Sequence, residues 1–299
     1  MSIDQNQELL EHKQTIAEKK KVGLIRRITQ IIDTIKFELT RNWKSFVLML
    51  IVYFAVFLLH LIIYELEEAN GVELPEESID YITEYFDMLG FLIIISTATF
   101  GGAIIAEDFK KQTGNLLFPK ISKTRLLIGR TISRYSLNAT LIIFYYTLVA
   151  SITNYKYDEL PDTYIDSMGW ALLYTFMIFT FIIFMSSINR SKASAIIISI
   201  LFLLIVFNII RTVLMFTRIE VEPLFLLTYY ENIITASLDM PDPRYEEVSF
   251  GPRDEEDPVE FKRWLTPSES GALIGMFLFS IIFLIVALLI YKKRQSKNE

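Results

Sequence analysis

Glu107–Arg130 reads EDFKKQTGNLLFPKISKTRLLIGR and lies between two apolar runs, 88–106 and 135–153. It carries Lys110, Lys111, Lys120, Lys123, Arg125 and Arg130 against only Glu107 and Asp108. That much charge is too costly for hydrocarbon, so the segment joins two membrane crossings through water. Gly114 and Pro119 divide it into two short helix-compatible pieces, which is more pattern than a plain connector needs. The reading is a docking segment.

Outward from this stretch, the chain is dominated by apolar runs. Of its 299 residues 52% are apolar, and the mean hydropathy is +0.38. A crossing needs about 20 apolar residues at a rise of 1.5 Å each. Six runs qualify, at 46–64, 88–106, 135–153, 169–187, 193–216 and 271–291. Each must be a helix, because hydrocarbon leaves no partner for an open backbone group. The expected fold is therefore an all-α polytopic membrane protein with six transmembrane helices. There is no cysteine, which excludes a disulfide framework, a thiolate metal site and a cysteine nucleophile.

Lysine and arginine set the topology. The segments before span 1, between spans 2 and 3, between spans 4 and 5 and after span 6 hold 9, 7, 2 and 4 of them. The three alternate segments hold 0, 1 and 5. Positive residues mark the cytoplasmic side, so both termini are expected inside and 107–130 with them. The first outer segment is acidic, with Glu67, Glu68, Glu73, Glu76, Glu77, Asp80, Glu84 and Asp87, and reads as a solvated surface.

Residues 1–22 are hydrophilic, lack the apolar core of a signal peptide and are expected to form a cytoplasmic tail. From 23 to 45, Leu24, Ile28, Ile31, Ile32, Ile35 and Leu39 recur at helical spacing, which predicts an amphipathic helix in the headgroup layer. Trp43 and Lys44 are its expected interfacial anchors. In the outer segment 217–269, Pro223–Leu238 is apolar but only 16 residues long, which suits a re-entrant or interfacial helical segment between spans 5 and 6. Residues around 240–267 read as a solvated cap, and 292–299 as a short cytoplasmic tail.

The chemistry-bearing residues are sparse. His12 and His60 are the two histidines, and no carboxylate–histidine set has metal-ligand spacing. His60 is expected to be a hydrogen-bonded imidazole. There is neither G-x-S-x-G nor G-x-x-x-x-G-K-[ST], so the chain has no nucleophile elbow and no phosphate-cradling loop. It is not expected to be an enzyme, to bind a cofactor of its own or to bind nucleic acid. The apolar runs hold no carboxylate for ion coupling; Arg211 is their one clear charge. Arg211, Asn138 and Asn208 are candidate residues of a translocation path, with interhelical hydrogen bonding an equal account of the asparagines.

With a pathway but no visible energy source, the chain points back to 107–130. That segment resembles the cytoplasmic segment of ABC-2 type exporter permeases, in which a glutamate, a Gly-Thr, a leucine pair, Pro-[Ile/Val]-Ser-Arg and a later Gly-Lys recur. The matching positions are Glu107, Gly114, Leu116, Leu117, Pro119, Ile121, Ser122, Lys123, Gly129 and Arg130. Asn115 replaces the threonine, Lys120 intrudes after the proline, and lysine and arginine exchange places at the two basic positions. The resemblance implies that this segment couples to a separate ABC ATPase. Its coupling residues would be Glu107, Asp108, Lys110, Lys111, Gly114, Leu116, Leu117, Pro119, Ser122, Lys123 and Arg125. ATP and Mg would then sit on two copies of that ATPase. It also implies a second permease subunit, identical or related, completing the path in the plasma membrane. Two other functional classes stay open: a membrane-embedded enzyme acting on lipid, for which the sequence shows no convincing acid–base pair, and a non-transporting scaffold or sensor whose acidic outer loop binds a ligand.

Overall fold

The computed structural model describes residues 3–72, 75–110, 122–216, 221–250 and 259–295. Side chains are described within these from residue 27 onward, apart from 109–110, 215–216, 249–250, 259–261 and 295. Six helical runs are long and apolar enough to cross a bilayer: Arg27–Ala69, Ser78–Asp108, Lys123–Tyr157, Tyr164–Ile188, Lys192–Leu214 and Glu269–Arg294. The chain is a helical polytopic membrane protein, with its spans where the apolar runs placed them.

The first helix, α1 (Ile3–Ala69), is one unbroken helix of 67 residues. The boundaries expected at 22 and 45 are absent from the backbone. No glycine or proline interrupts residues 24–69, so nothing in the sequence stops the helix. It ends where Gly71 takes the left-handed conformation, φ 82°, while the Val72 N–H bonds back to the Glu67 carbonyl. The buried face of its first half is also not the isoleucine stripe. Thr34 and Glu38 are buried, while Ile28 and Ile32 are 49% and 44% exposed. Trp43 and Lys44 both face outward.

Span 2 comprises α2 (Ser78–Phe86), α3 (Leu89–Gly101) and α4 (Ala106–Lys110). Gly101 and Gly102 mark close approaches to spans 4 and 5. A Cβ at Gly101 would lie 2.8 Å from Ile182 Cγ2, and one at Gly102 would lie 2.5 Å from Ile196 Cγ1. The turn after α3 is held by Ser186, whose Oγ accepts from the Ile105 and Ala106 N–H groups, each at 3.1 Å, and donates to the Gly102 carbonyl.

Spans 3 and 4 are α5 (Lys123–Tyr157) and α6 (Tyr164–Ile188). Span 5 is α7 (Lys192–Leu201), a π-helical turn at Phe202–Val206 and α8 (Phe207–Phe216); span 6 is α10 (Glu269–Gln295). The tightest pairings are α1 along α5 and α10 along α6, with α3 wedged against both α5 and α6. Of the apolar windows of spans 2 and 4, 78% and 72% lie inside the bundle, against 17% for spans 1, 5 and 6. Those three outer spans therefore offer their apolar faces to lipid or to another protein. The aromatic residues of spans 3 and 4 mostly do not: Tyr145, Tyr146, Tyr174, Phe179 and Phe181 are core. Their hydroxyls are satisfied inside it, as Tyr145 to the Tyr85 carbonyl at 2.7 Å shows.

Between spans 5 and 6, a 3₁₀ turn (Leu227–Glu231) and α9 (Asn232–Ala236) pack on α6, burying Leu227, Tyr230, Ile233 and Ile234. This is the short apolar segment that the sequence placed there. The cap beyond it contains a β-hairpin that the sequence reading did not foresee, β1 (Tyr245–Phe250) antiparallel to β2 (Val259–Trp264), with Tyr245 opposite Trp264. One end of the bundle, with the start of α5 and the end of α10, is basic. The opposite end, with α2, α9 and the hairpin, is acidic.

Candidate functional site

At the basic end, three guanidinium groups and three carboxylates from α1, α4 and α5 meet in one cluster. Glu38 of α1 is its centre, with a side chain 1% exposed. Arg134 donates to Glu38 Oε2 from Nε at 3.0 Å and from Nη2 at 2.8 Å, and its Nη1 caps the Phe100 carbonyl at the end of α3. Arg41 donates to the same oxygen at 2.9 Å, and Asn42 at 3.2 Å. One helical turn before Arg134, Arg130 grips Asp108 with two bonds, 2.7 and 3.0 Å, and caps the Ile104 carbonyl. Its Nε lies 3.2 Å from Glu38 Oε1, at ion-pair distance but not aligned for a hydrogen bond. At the rim, Glu107 pairs with Arg41 at 3.3 Å.

Span 6 closes the cluster. The Tyr291 hydroxyl donates to Asp108 Oδ2 at 2.6 Å, and Lys123 donates to the Tyr291 carbonyl at 3.1 Å while lying over its ring. Arg125 reaches Gln30 of α1, and Arg294 donates to the Ser187 and Asn189 carbonyls where span 4 ends. Close approach makes this possible. Gly129 sits against α1, and a Cβ there would lie 2.8 Å from Thr34 Cβ.

Chemically the cluster is a clasp. Both oxygens of Glu38 and of Asp108 face guanidinium or hydroxyl partners, so neither carboxylate is open to shuttle a proton to a substrate. Buried ions this well paired are costly to leave half-paired, so the four elements are held in one arrangement. Among the described residues no three histidine, aspartate or glutamate side chains converge as a metal ion would require.

Of the sequence-predicted coupling residues, Glu107, Asp108 and Lys123 reach this cluster, while Arg125 bonds to Gln30 of α1 instead. Ser122 is the exposed N-cap position of α5. The backbone of Lys110 ends α4, while Lys111, Gly114, Leu116, Leu117 and Pro119 lie outside the described residues. Glu38, Arg134 and Tyr291 were missed. Arg130 and Arg134, four apart on one helix face at the start of an apolar span, were the available signal that an acidic partner lay elsewhere.

The three candidate path residues are not brought together. Asn138 is fully buried; its Nδ2 donates to the Arg134 carbonyl, and its Oδ1 has no hydrogen-bond partner among the described residues. Asn208 is exposed on α8 and bonds back to the Leu204 carbonyl. Arg211 has no carboxylate within ion-pair distance among the described residues. It lies in electrostatic reach of Glu231, which sits where a Cβ on Gly90 would stand and accepts from Tyr174 at 3.3 Å. Burial pushes the Glu231 carboxyl above the usual carboxylate range, with the Tyr174 hydroxyl and the Arg211 charge opposing that rise. His60 is a hydrogen-bonded imidazole, with Nδ1 2.9 Å from the Val56 carbonyl.

No curated protein matches the chain. A family profile does match it, from Tyr64 to Ser237, which includes Asp108, Arg130 and Arg134 but neither Glu38 nor Tyr291. That stretch is more than half of the sequence, and the chain belongs to the family described as "Protein of unknown function (DUF2705)".

Proposed function

We propose that this chain is the membrane-spanning subunit of an ABC-2 type exporter, driven through segment 107–130 by a separate ATPase. One observation carries the reading: both ends of 111–121 are clasped to the bundle. Asp108 before it and Lys123 and Arg130 after it are tied to spans 1, 3 and 6 by the buried cluster. A force delivered through either end of that segment would reach four spans. ATP closure of two ATPase subunits would then rock the spans and move cargo outward through a path shared with a second permease. Asn208, Arg211 and Thr212 lie on one side of span 5, which is otherwise exposed and apolar, and favour a water-lined or protein-covered face over bare lipid.

The test is purification of the tagged full chain from its native membranes in mild detergent. An ATPase is expected to co-purify, and Lys110→Glu with Lys111→Glu should abolish its stimulation by the permease while the melting temperature stays unchanged. Absence of any co-purifying ATPase would falsify the proposal, as would stimulation that survives the double charge reversal.

A further inference from the structure

We propose that the acidic end carries a binding site for an amphipathic cation, a quaternary or primary ammonium group bearing a hydrocarbon tail. The site is a cavity of about 460 Å³ between the acidic-end turns of spans 4 and 6. That volume falls in the range of small-ligand sites, roughly 300–1,000 Å³. Asp166, in the first turn of α6, and Glu269, in the first turn of α10, both line it. Trp170 contributes an indole, the ring best suited to face an ammonium group and to sit at a membrane interface. Ile165 and Leu273 line the same cavity and are 65% and 45% exposed, so its apolar side continues onto the bilayer-facing surface.

Two features make this a site for a cation and not merely a dent. The first is exposed carboxylate charge with no described cationic side chain paired to it. The described basic residues of the acidic-end segments are engaged elsewhere: Lys156 with Glu65 and Glu68, Arg244 with Glu222, Arg263 with Glu246, and Lys262 over the Tyr245 ring. Neither Asp166 nor Glu269 has an ion-pair partner among the described residues. The second is unused space. Gly129, Gly101 and Gly102 each allow a close approach, but a Cβ at Gly169 would meet nothing within 4 Å. This glycine leaves the cavity wall open where a side chain would be tolerated. Two carboxylates and an indole beside a lipid-facing slope select a positive head with an apolar tail. The head could come from a bilayer lipid or from an amphiphile arriving from outside. The inference does not depend on the exporter reading.

The chain has three tryptophans, so a Trp43→Phe, Trp264→Phe background leaves Trp170 as the single reporter. In phosphatidylglycerol nanodiscs, a nitroxide-labelled long-chain trimethylammonium should quench Trp170 saturably, and a long-chain sulfate with the same label should not. Asp166→Asn with Glu269→Gln should weaken that binding about tenfold or more, and Gly169→Leu should abolish it by filling the cavity. Brominated phosphatidylethanolamine quenching beyond brominated phosphatidylglycerol, with no amphiphile added, identifies the source as bilayer lipid; quenching only by the added ammonium identifies a soluble amphiphile. Equal quenching by cation and sulfate, or quenching unchanged in both variants, overturns the proposal. In the chain with all its tryptophans, the long-chain ammonium should also raise the melting temperature, and no shift there counts equally against it.

Discussion

Glu38 shows how one side chain can fix several helices. It is the shared anion of Arg134, Arg41 and Arg130; its removal leaves the buried Arg134 without a carboxylate partner and leaves Arg41 and Arg130 with Glu107 and Asp108 alone. Breaking a buried pair by deleting one partner costs about 3–5 kcal/mol, so Glu38→Gln and Arg134→Met should each destabilise the fold by that order. The double variant should lose less than the two losses combined, with a coupling of about 0.5–3 kcal/mol in a double-mutant cycle. Denaturant titration in mixed micelles reads this directly. Additive losses would mean that the two side chains do not act as a pair.

At the scale of elements, the contrast between two glycines tests the packing. Gly129→Ala places a methyl against Thr34 Cβ and, at 3.2 Å, the Ile31 carbonyl, so α1 and α5 must separate. Overpacking of this kind costs about 1–3 kcal/mol. Gly169→Ala enters open space on a helix and should be neutral or stabilising, by up to ~1 kcal/mol. The melting temperature should therefore fall for Gly129→Ala and hold or rise for Gly169→Ala; a fall for both would contradict the stated environment of Gly169.

The spans themselves were legible because run length alone marks them. The partnership of Glu38 with Arg134 could not be read, since 96 positions separate them and no local pattern links them. Tyr291 and Asp108, 183 positions apart, were hidden for the same reason. The hairpin was passed over although Val259 and Phe261 alternate with charged residues, because its six-residue strands lie in a stretch rich in proline and acid. The π turn in span 5 leaves no trace in hydropathy at all, because it alters only which carbonyl each N–H reaches.

For the whole molecule, the absence of cysteine makes sidedness directly measurable. Asp239 and Lys292 are exposed at opposite ends of the bundle. In intact cells, Asp239→Cys should react with a membrane-impermeant maleimide, and Lys292→Cys should react only after permeabilisation. The reverse pattern would turn the arrangement inside out and put 107–130 beyond reach of any cytoplasmic ATPase.

The length of α1 has a mechanical consequence. At 1.5 Å per residue its 67 residues form a beam about 100 Å long, roughly three times the hydrocarbon thickness. Its contact with Gly129 at Thr34 lies near the midpoint and serves as a fulcrum. A tilt of about 5° there would carry the N-terminal end through ~4 Å, about three-quarters of a helical turn, with an opposite swing at Ala69. Small angular changes at the clasp and displacements at both ends are thus one motion of a single rigid body.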